Sequence, residues 1–189
     1  MMIAQDDLEE LELAPLPVEA ATALATLNAP PRLVAHLTLV HDVAARLLRS
    51  LRTLWPQLKL DDTDVLFGAA THDIGKAVHR DELSGPGSLH EDEGRRALER
   101  LGVSSTRARF AATHASWSPA SPIEDLLVSL ADKCWKGKRS KDLEDLVVAH
   151  IAASAGIAKW DAFVKLDEVL AAIAADADAR LEWQTRFPA

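Results

Sequence analysis

Between Val65 and Ala70 the chain offers no polar face. Val65, Leu66, Phe67, Gly68, Ala69 and Ala70 follow one another and run straight into Thr71-His72-Asp73. A helix that is apolar all round has to be buried, so the rest of the chain must enclose this one. Its end then carries an imidazole and a carboxylate into the interior, where each is costly unless partnered. A divalent cation would satisfy both at once. An ordinary His-Asp hydrogen bond or a helix cap would do so too, and the dyad alone does not choose.

The enclosing material reads as helical throughout. Helix formers dominate, and no alternating Val/Ile/Thr stretch reaches strand length. Residues 1 to 13 are acidic and are expected to be loose, and Val18 to Leu27 forms a short helix before Pro30-Pro31. A long helix then covers Arg32 to about Leu54. The buried helix starts behind the Asp61-Asp62-Thr63 caps and ends near Ile74, with Gly75 as its breaker. After a loop containing Gly85-Pro86-Gly87, Ser88 and Glu91 form a capping box for a helix to Leu101. Further helices are expected over Ser104 to Ala115 and Ile123 to Trp135, with two more from Lys141 onward. The 189 residues contain no repeat and no linker, so one all-α domain over 1–189 is expected. The apolar positions Phe163, Val169, Leu170 and Ile173 face either the chain's own core or a second copy in a homodimer.

Charge narrows the function. Twenty-one Lys and Arg stand against 29 Asp and Glu, giving a formal net charge of −8, which opposes non-specific nucleic-acid binding. No apolar run approaches a membrane span, and the acidic N-terminus lacks signal-peptide character, so the expected location is the cytoplasm. A single cysteine, Cys134, cannot build a thiolate cage, so any metal site must use imidazoles and carboxylates. Seven histidines are present for it.

On the long helix the apolar stripe centres on Leu33, Leu37, Val40, Ala44, Leu47 and Leu51, with His36 on one margin and His41 on the other. A lone histidine there reads more readily as a hydrogen-bonded core residue than as a ligand. His90 shares a stripe with Gly94, Ala97 and Leu101 and points inward; His114 follows Phe110 by four. Each alone reads as core or cap. Asp132 falls in a polar sector with Asp125 and Ser129, and periodicity does not single it out. His41, His79 and His150 have no assigned role.

Taken together, His36, the His72-Asp73 dyad, His90, His114 and Asp132 resemble the HD-domain superfamily of metal-dependent phosphohydrolases. The resemblance spans about residues 32 to 139. Its most diagnostic stretch is Ala69-Ala70-Thr71-His72-Asp73-Ile74-Gly75-Lys76, joined by His36 with Val40, Leu89-His90-Glu91 with Gly94, His114, and Leu130-Ala131-Asp132-Lys133. These pieces occur in family order within about 100 residues. The chain has His114-Ala115 where the two-metal branch often carries a His-His pair. It has no tyrosine, which excludes the cyclic-dinucleotide phosphodiesterase branch with its Gly-Tyr-Pro signature.

The resemblance implies a helical HD-like bundle in which His36, His72, Asp73 and Asp132 hold one divalent transition metal, with Asp73 bridging to a second held by His90 and His114. Such ligands suit Mn, Fe, Co, Ni or Zn without choosing among them. The implied activity is hydrolysis of a phosphoester by metal-activated water. A small phosphorylated substrate, a nucleotide by analogy with the family, is the expected partner. Asp73 would ligate the metal and orient the water, and Lys76 would touch the substrate phosphate. Lys133 and Lys136 are candidates for its other phosphates and Trp117 for stacking a base; solvated lysines and a packing indole are the plainer alternatives. A regulatory module that binds metal and nucleotide without turnover is the competing function.

Overall fold

The computed structural model describes residues 3–189. Among them the regular structure is all helix, with no strand. The elements are α1 (Gln5–Glu10), α2 (Val18–Thr26), α3 (Pro31–Leu54), α4 (Asp62–Thr71), α5 (Leu89–Arg100), α6 (Ser105–Ala108), α7 (Phe110–Thr113), α8 (Ile123–Cys134), α9 (Lys141–Ala155), α10 (Lys159–Ala174) and α11 (Ala177–Thr185). Two 3₁₀ turns, Ile74–Ala77 and Arg80–Leu83, lie between α4 and α5. No helix of the described residues is long and apolar enough to cross a membrane.

α3 and α4 form the centre, packed on each other and both on α8. Two apolar clusters meet there. The larger gathers Val40, Val43, Leu47 and Leu51 of α3 with α8, α9, α10 and Trp183. The smaller joins Leu33 and Leu37 of α3 to Phe67, Ala70, Ile74 and Leu98. α4 contributes to both, as its all-apolar sequence requires. Its small residues let the neighbours close in. A Cβ on Gly68 would lie 2.7 Å from Phe110 Cγ and 2.8 Å from a Val128 methyl.

Several boundaries differ from the sequence expectation, each for a physical reason. The acidic N-terminal stretch is tied down: Leu8 and Leu11 pack on the core, Leu13 is buried, and Trp183 Nε1 donates to the Asp7 carbonyl at 3.0 Å. Met1 and Met2 fall outside the described residues. Asp61 does cap α4, accepting from the Asp64 N–H, but α4 stops at Thr71. There the Thr71 hydroxyl donates to the Phe67 carbonyl at 2.7 Å, a bond that competes with the backbone ladder. Asp73 then leaves helical geometry. Gly75 is not a left-handed terminator; it sits inside a 3₁₀ turn pressed so close to α5 that a Cβ would fall on the His90 carbonyl. The expected helix over Ser104 to Ala115 is broken at Arg109 into α6 and α7. Arg109 keeps helical backbone angles, but its carbonyl accepts from the Ala112 N–H three residues on, and its side chain binds Asp125, with Nη2 to Oδ2 at 2.8 Å. Three helices, not two, follow Lys141, and Leu170 and Ile173 are buried in the chain's own core.

The Ser88 capping box does not form. The Ser88 side chain caps nothing, and the first N–H groups of α5 are taken by Glu82. At the start of α3, where Pro30 and Pro31 have no N–H to offer, the Arg32 N–H donates to the Pro188 carbonyl at 2.9 Å. The Arg32 side chain donates to the carbonyls of Phe187 and Thr185. The C-terminal segment therefore secures the helix that carries His36.

Gly75→Ala has to separate α5 from the turn after the dyad. We expect it to destabilise the chain by about 3 kcal/mol, the upper range for overpacking, in urea unfolding. Unchanged stability would contradict the close approach described.

Candidate metal centre

The end of α4 meets α3, α5, α7 and α8 at one buried point, and the sequence places a histidine or aspartate on each. His36, His72, Asp73, His90, His114 and Asp132 are all nine-tenths or more buried. Asp73 stands between two sets of imidazoles. Its Oδ2 lies 3.3 Å from His36 Nε2 and 3.7 Å from His72 Nε2. Its Oδ1 lies 3.1 Å from His90 Nε2 and 3.3 Å from His114 Nε2. Asp132 Oδ1 completes the first set, 3.8 Å from His36 Nε2 and 3.6 Å from His72 Nε2. Asp132 thus faces inward although its sector of α8 reads as polar. That whole sector is buried, with Asp125 bound to Arg109 and Thr113 and the Ser129 hydroxyl donating to the Asp125 carbonyl.

Ring orientation is set from outside the cluster. His72 Nδ1 lies 3.0 Å from the Ala69 carbonyl and His114 Nδ1 3.1 Å from the Ala111 carbonyl. A carbonyl only accepts, so in each ring Nδ1 carries a proton and Nε2 is the nitrogen turned inward. His90 reaches the same state differently, with Nδ1 2.5 Å from Glu82 Oε2. The Nε2 atoms of three rings are therefore presented to the two oxygens of Asp73 and to Asp132.

Burial alone would raise the carboxyl of Asp73; the charge of His72 and the nitrogens of His114, His36 and His90 turned onto it hold it well below the usual carboxylate range. Asp132 behaves alike, with burial opposed by His72, His36 and Lys136. Both are carboxylates at neutral pH, the form that ligates a metal.

Two groups of side chains meet the spacing for a cation: His36, His72 and Asp73, and Asp73, His90 and His114. Ligands about 2.1 Å from a common ion are separated from one another by about 3.0 to 3.4 Å, and the distances above fall in or near that range. Asp73 Oδ1 and His90 Nε2 are also buried without a hydrogen-bond partner, the condition expected of atoms shaped for an ion. The donor set, nitrogen and oxygen without sulfur, fits a divalent transition metal.

A family model, that of the HD domain, matches residues 33–135. The chain belongs to the HD-domain family. No curated protein and no solved structure matches it. The matched stretch contains all six clustered residues. The cavity over them, about 460 Å³, also takes Arg32, Lys136 and Gln184 from outside that stretch. Its volume is that of a small-molecule site.

The other sequence candidates divide. Lys76 lines the cavity, with Nζ 2.7 Å from Asp73 Oδ2. Lys133 lines it too, 2.9 Å from Asp132 Oδ2, and Lys136 stands beside it. Trp117 does not reach the cavity wall; it packs on the main core with Lys133 Nζ 5.9 Å from its ring centroid, and Trp135 is the indole at the wall. Further along the basic run, Arg139 binds Glu144 and Asp167, and Lys141 binds Asp145, away from the centre. Sequence reasoning missed Glu82, which lies in a loop with no periodicity to mark it, and Arg32 and Gln184.

Divalent metal at about a hundredfold over its dissociation constant stabilises a folded chain by about 2.7 kcal/mol, or about 5 to 10 °C in Tm at this length. We expect a shift of that size with Mn, Co or Zn in differential scanning fluorimetry. Asp73→Ala should abolish it.

Proposed function

We propose that the chain is a metal-dependent phosphohydrolase acting on a small phosphoester, a nucleotide being the substrate class the family suggests. The observation that carries this reading is Asp73, whose two oxygens serve two imidazole groups on the floor of a cavity rimmed by cations. Arg32, Lys76, Lys133 and Lys136 line that cavity in a chain of net charge −8. The same wall carries the carboxylates of Asp73, Glu91 and Asp132, so cations exceed anions by one, and a divalent metal held by the centre would turn that small excess into a field that attracts anions.

A divalent metal bound by these residues supplies an acidified water and neutralises charge on the phosphoryl oxygens. The chain's own groups do the rest. Asp73 holds its position through four imidazoles and offers oxygen lone pairs that orient the attacking water. Lys76 is tethered to Asp73 Oδ2 at the cavity wall, so its ammonium sits where a phosphoryl oxygen arrives beside the nucleophile. Lys133 and Lys136 extend the cationic wall toward the mouth for further phosphates. Burial lowers the ammonium of Lys136 below its ordinary range, against the pull of Asp132. A group so desolvated binds an anion more strongly than a solvated lysine does. In the reaction the oxygen of water joins phosphorus as the ester oxygen leaves, giving an alcohol and a phosphate.

The test is release of p-nitrophenol from mono- and bis-(p-nitrophenyl) phosphate and of phosphate from a nucleotide panel, with each of Mn, Fe, Co, Ni and Zn. Turnover should fall about 10³-fold in Asp73→Asn, the loss of several kcal/mol of transition-state stabilisation. Lys76→Ala should lower kcat/KM about 10- to 100-fold, the range of one charge-assisted hydrogen bond. Nucleotide binding with no product from any metal form would replace the hydrolase with a sensor.

A further inference from the structure

Glu82 lies on the 3₁₀ turn Arg80–Leu83 and is buried. A buried carboxylate normally needs a cation, yet among the described residues its one ionic partner is a histidine. Both oxygens are engaged at α5. Oε1 accepts the Leu89 N–H at 3.1 Å, and Oε2 accepts the His90 N–H at 3.1 Å and faces His90 Nδ1 at 2.5 Å. The loop is shaped around this carboxylate, since a Cβ on Gly87 would fall on the Glu82 side chain.

Two asymmetries of the centre converge on Glu82. His72 and His114 are oriented by backbone carbonyls, which carry no net charge, whereas His90 is oriented by a full negative charge. The carboxylates are unevenly shared as well. The position flanked by His36 and His72 has Asp73 and Asp132 against it, while the one flanked by His90 and His114 has only the far oxygen of Asp73. A dication among two neutral imidazoles and half a carboxylate is poorly compensated. A carboxylate behind a ligating imidazole makes that ring a more basic donor and adds charge without occupying a coordination position.

We propose that Glu82 is the positioning residue of the second metal position: it fixes His90 with Nε2 turned to Asp73 and supplies the negative charge which that side of the centre lacks, so that occupancy by a second ion depends on it. The proposal rests on the two-ion reading of the centre. It assigns a task to the loop before α5, which ties the helix end, the His90 ring and the cavity wall together through one side chain.

The test is metal binding by the full chain, stripped with chelator and titrated with Co²⁺, reading stoichiometry by elemental analysis and each ion's affinity by calorimetry and visible absorption. The wild type should bind two ions. In Glu82→Gln the negative charge behind His90 is lost, and the single amide oxygen can accept either from the Leu89 N–H or from the two His90 nitrogens, not from both. The second ion should then bind about 10- to 100-fold more weakly, with the first unchanged. Glu82→Asp, which keeps the charge, should recover part of the loss. Equal affinity for the second ion in Glu82→Gln and wild type overturns the proposal, as does equal weakening of both ions. If Glu82→Gln does not fold, Glu82→Asp carries the test by the same criterion: selective weakening of the second ion supports the proposal, and any other result overturns it. A wild type that binds a single ion overturns it as well, while leaving a hydrolase built on His36, His72, Asp73 and Asp132 standing. Selective loss of the second ion in a chain that hydrolyses nothing removes the proposed function and leaves the role of Glu82 intact.

Discussion

A carboxylate buried among four imidazoles has to be held from every side, and the architecture follows from that requirement. Asp73 sits where α4 loses its helical geometry, and each histidine facing it comes from a different segment. Bringing them within about 4 Å needs helices that approach unusually closely, which is why the last turn of α4 before the dyad carries Gly68, Ala69 and Ala70 and why the turn after it has no side chain at position 75. The two apolar clusters on either side of α3 and α4 supply the driving force, and the polar centre at their seam fixes which packing is adopted.

Electrostatics divide the molecule in the same way. The exterior is acidic, while the cavity wall collects lysines tethered to the carboxylates of the centre. A tethered ammonium loses less freedom on meeting an anion than a free one. Farther along the chain, Lys141 is spent on an exposed pair that contributes little, while Arg139 makes a bidentate pair with the buried Glu144 away from the centre.

What was legible in the sequence was whatever burial imprints on local pattern. The all-apolar run of α4 marks a central helix, and the dyad at its end marks a polar site needing partners. Asp132 was not legible from periodicity, because that reading assumes a solvent-facing side and α8 has its polar side buried too; only the family resemblance pointed to it. The Ser88 box failed for a related reason. A capping motif is read within four residues, and the group that takes the N–H ends of α5 comes from Glu82, beyond that window and across a turn. Position 117 offered an indole for stacking a base, and the fold used it for packing and brought Trp135 to the cavity instead. Local pattern reports burial and helical phase; it does not report which distant side chain arrives first at an unsatisfied group.

The bonds from the C-terminal segment to α1 and to the start of α3 span nearly the whole chain. Trp183 reaches Asp7 and Arg186 reaches Glu10 across a sequence separation of 176, and Arg32 is bound to Thr185 and Phe187 across more than 150. Contacts of such separation close the largest loops and carry the largest closure entropy, whereas α3 and α4 are near neighbours in sequence. The chain therefore has a centre closed by short loops and a clasp closed by long ones, and the two meet at Arg32, one turn from His36.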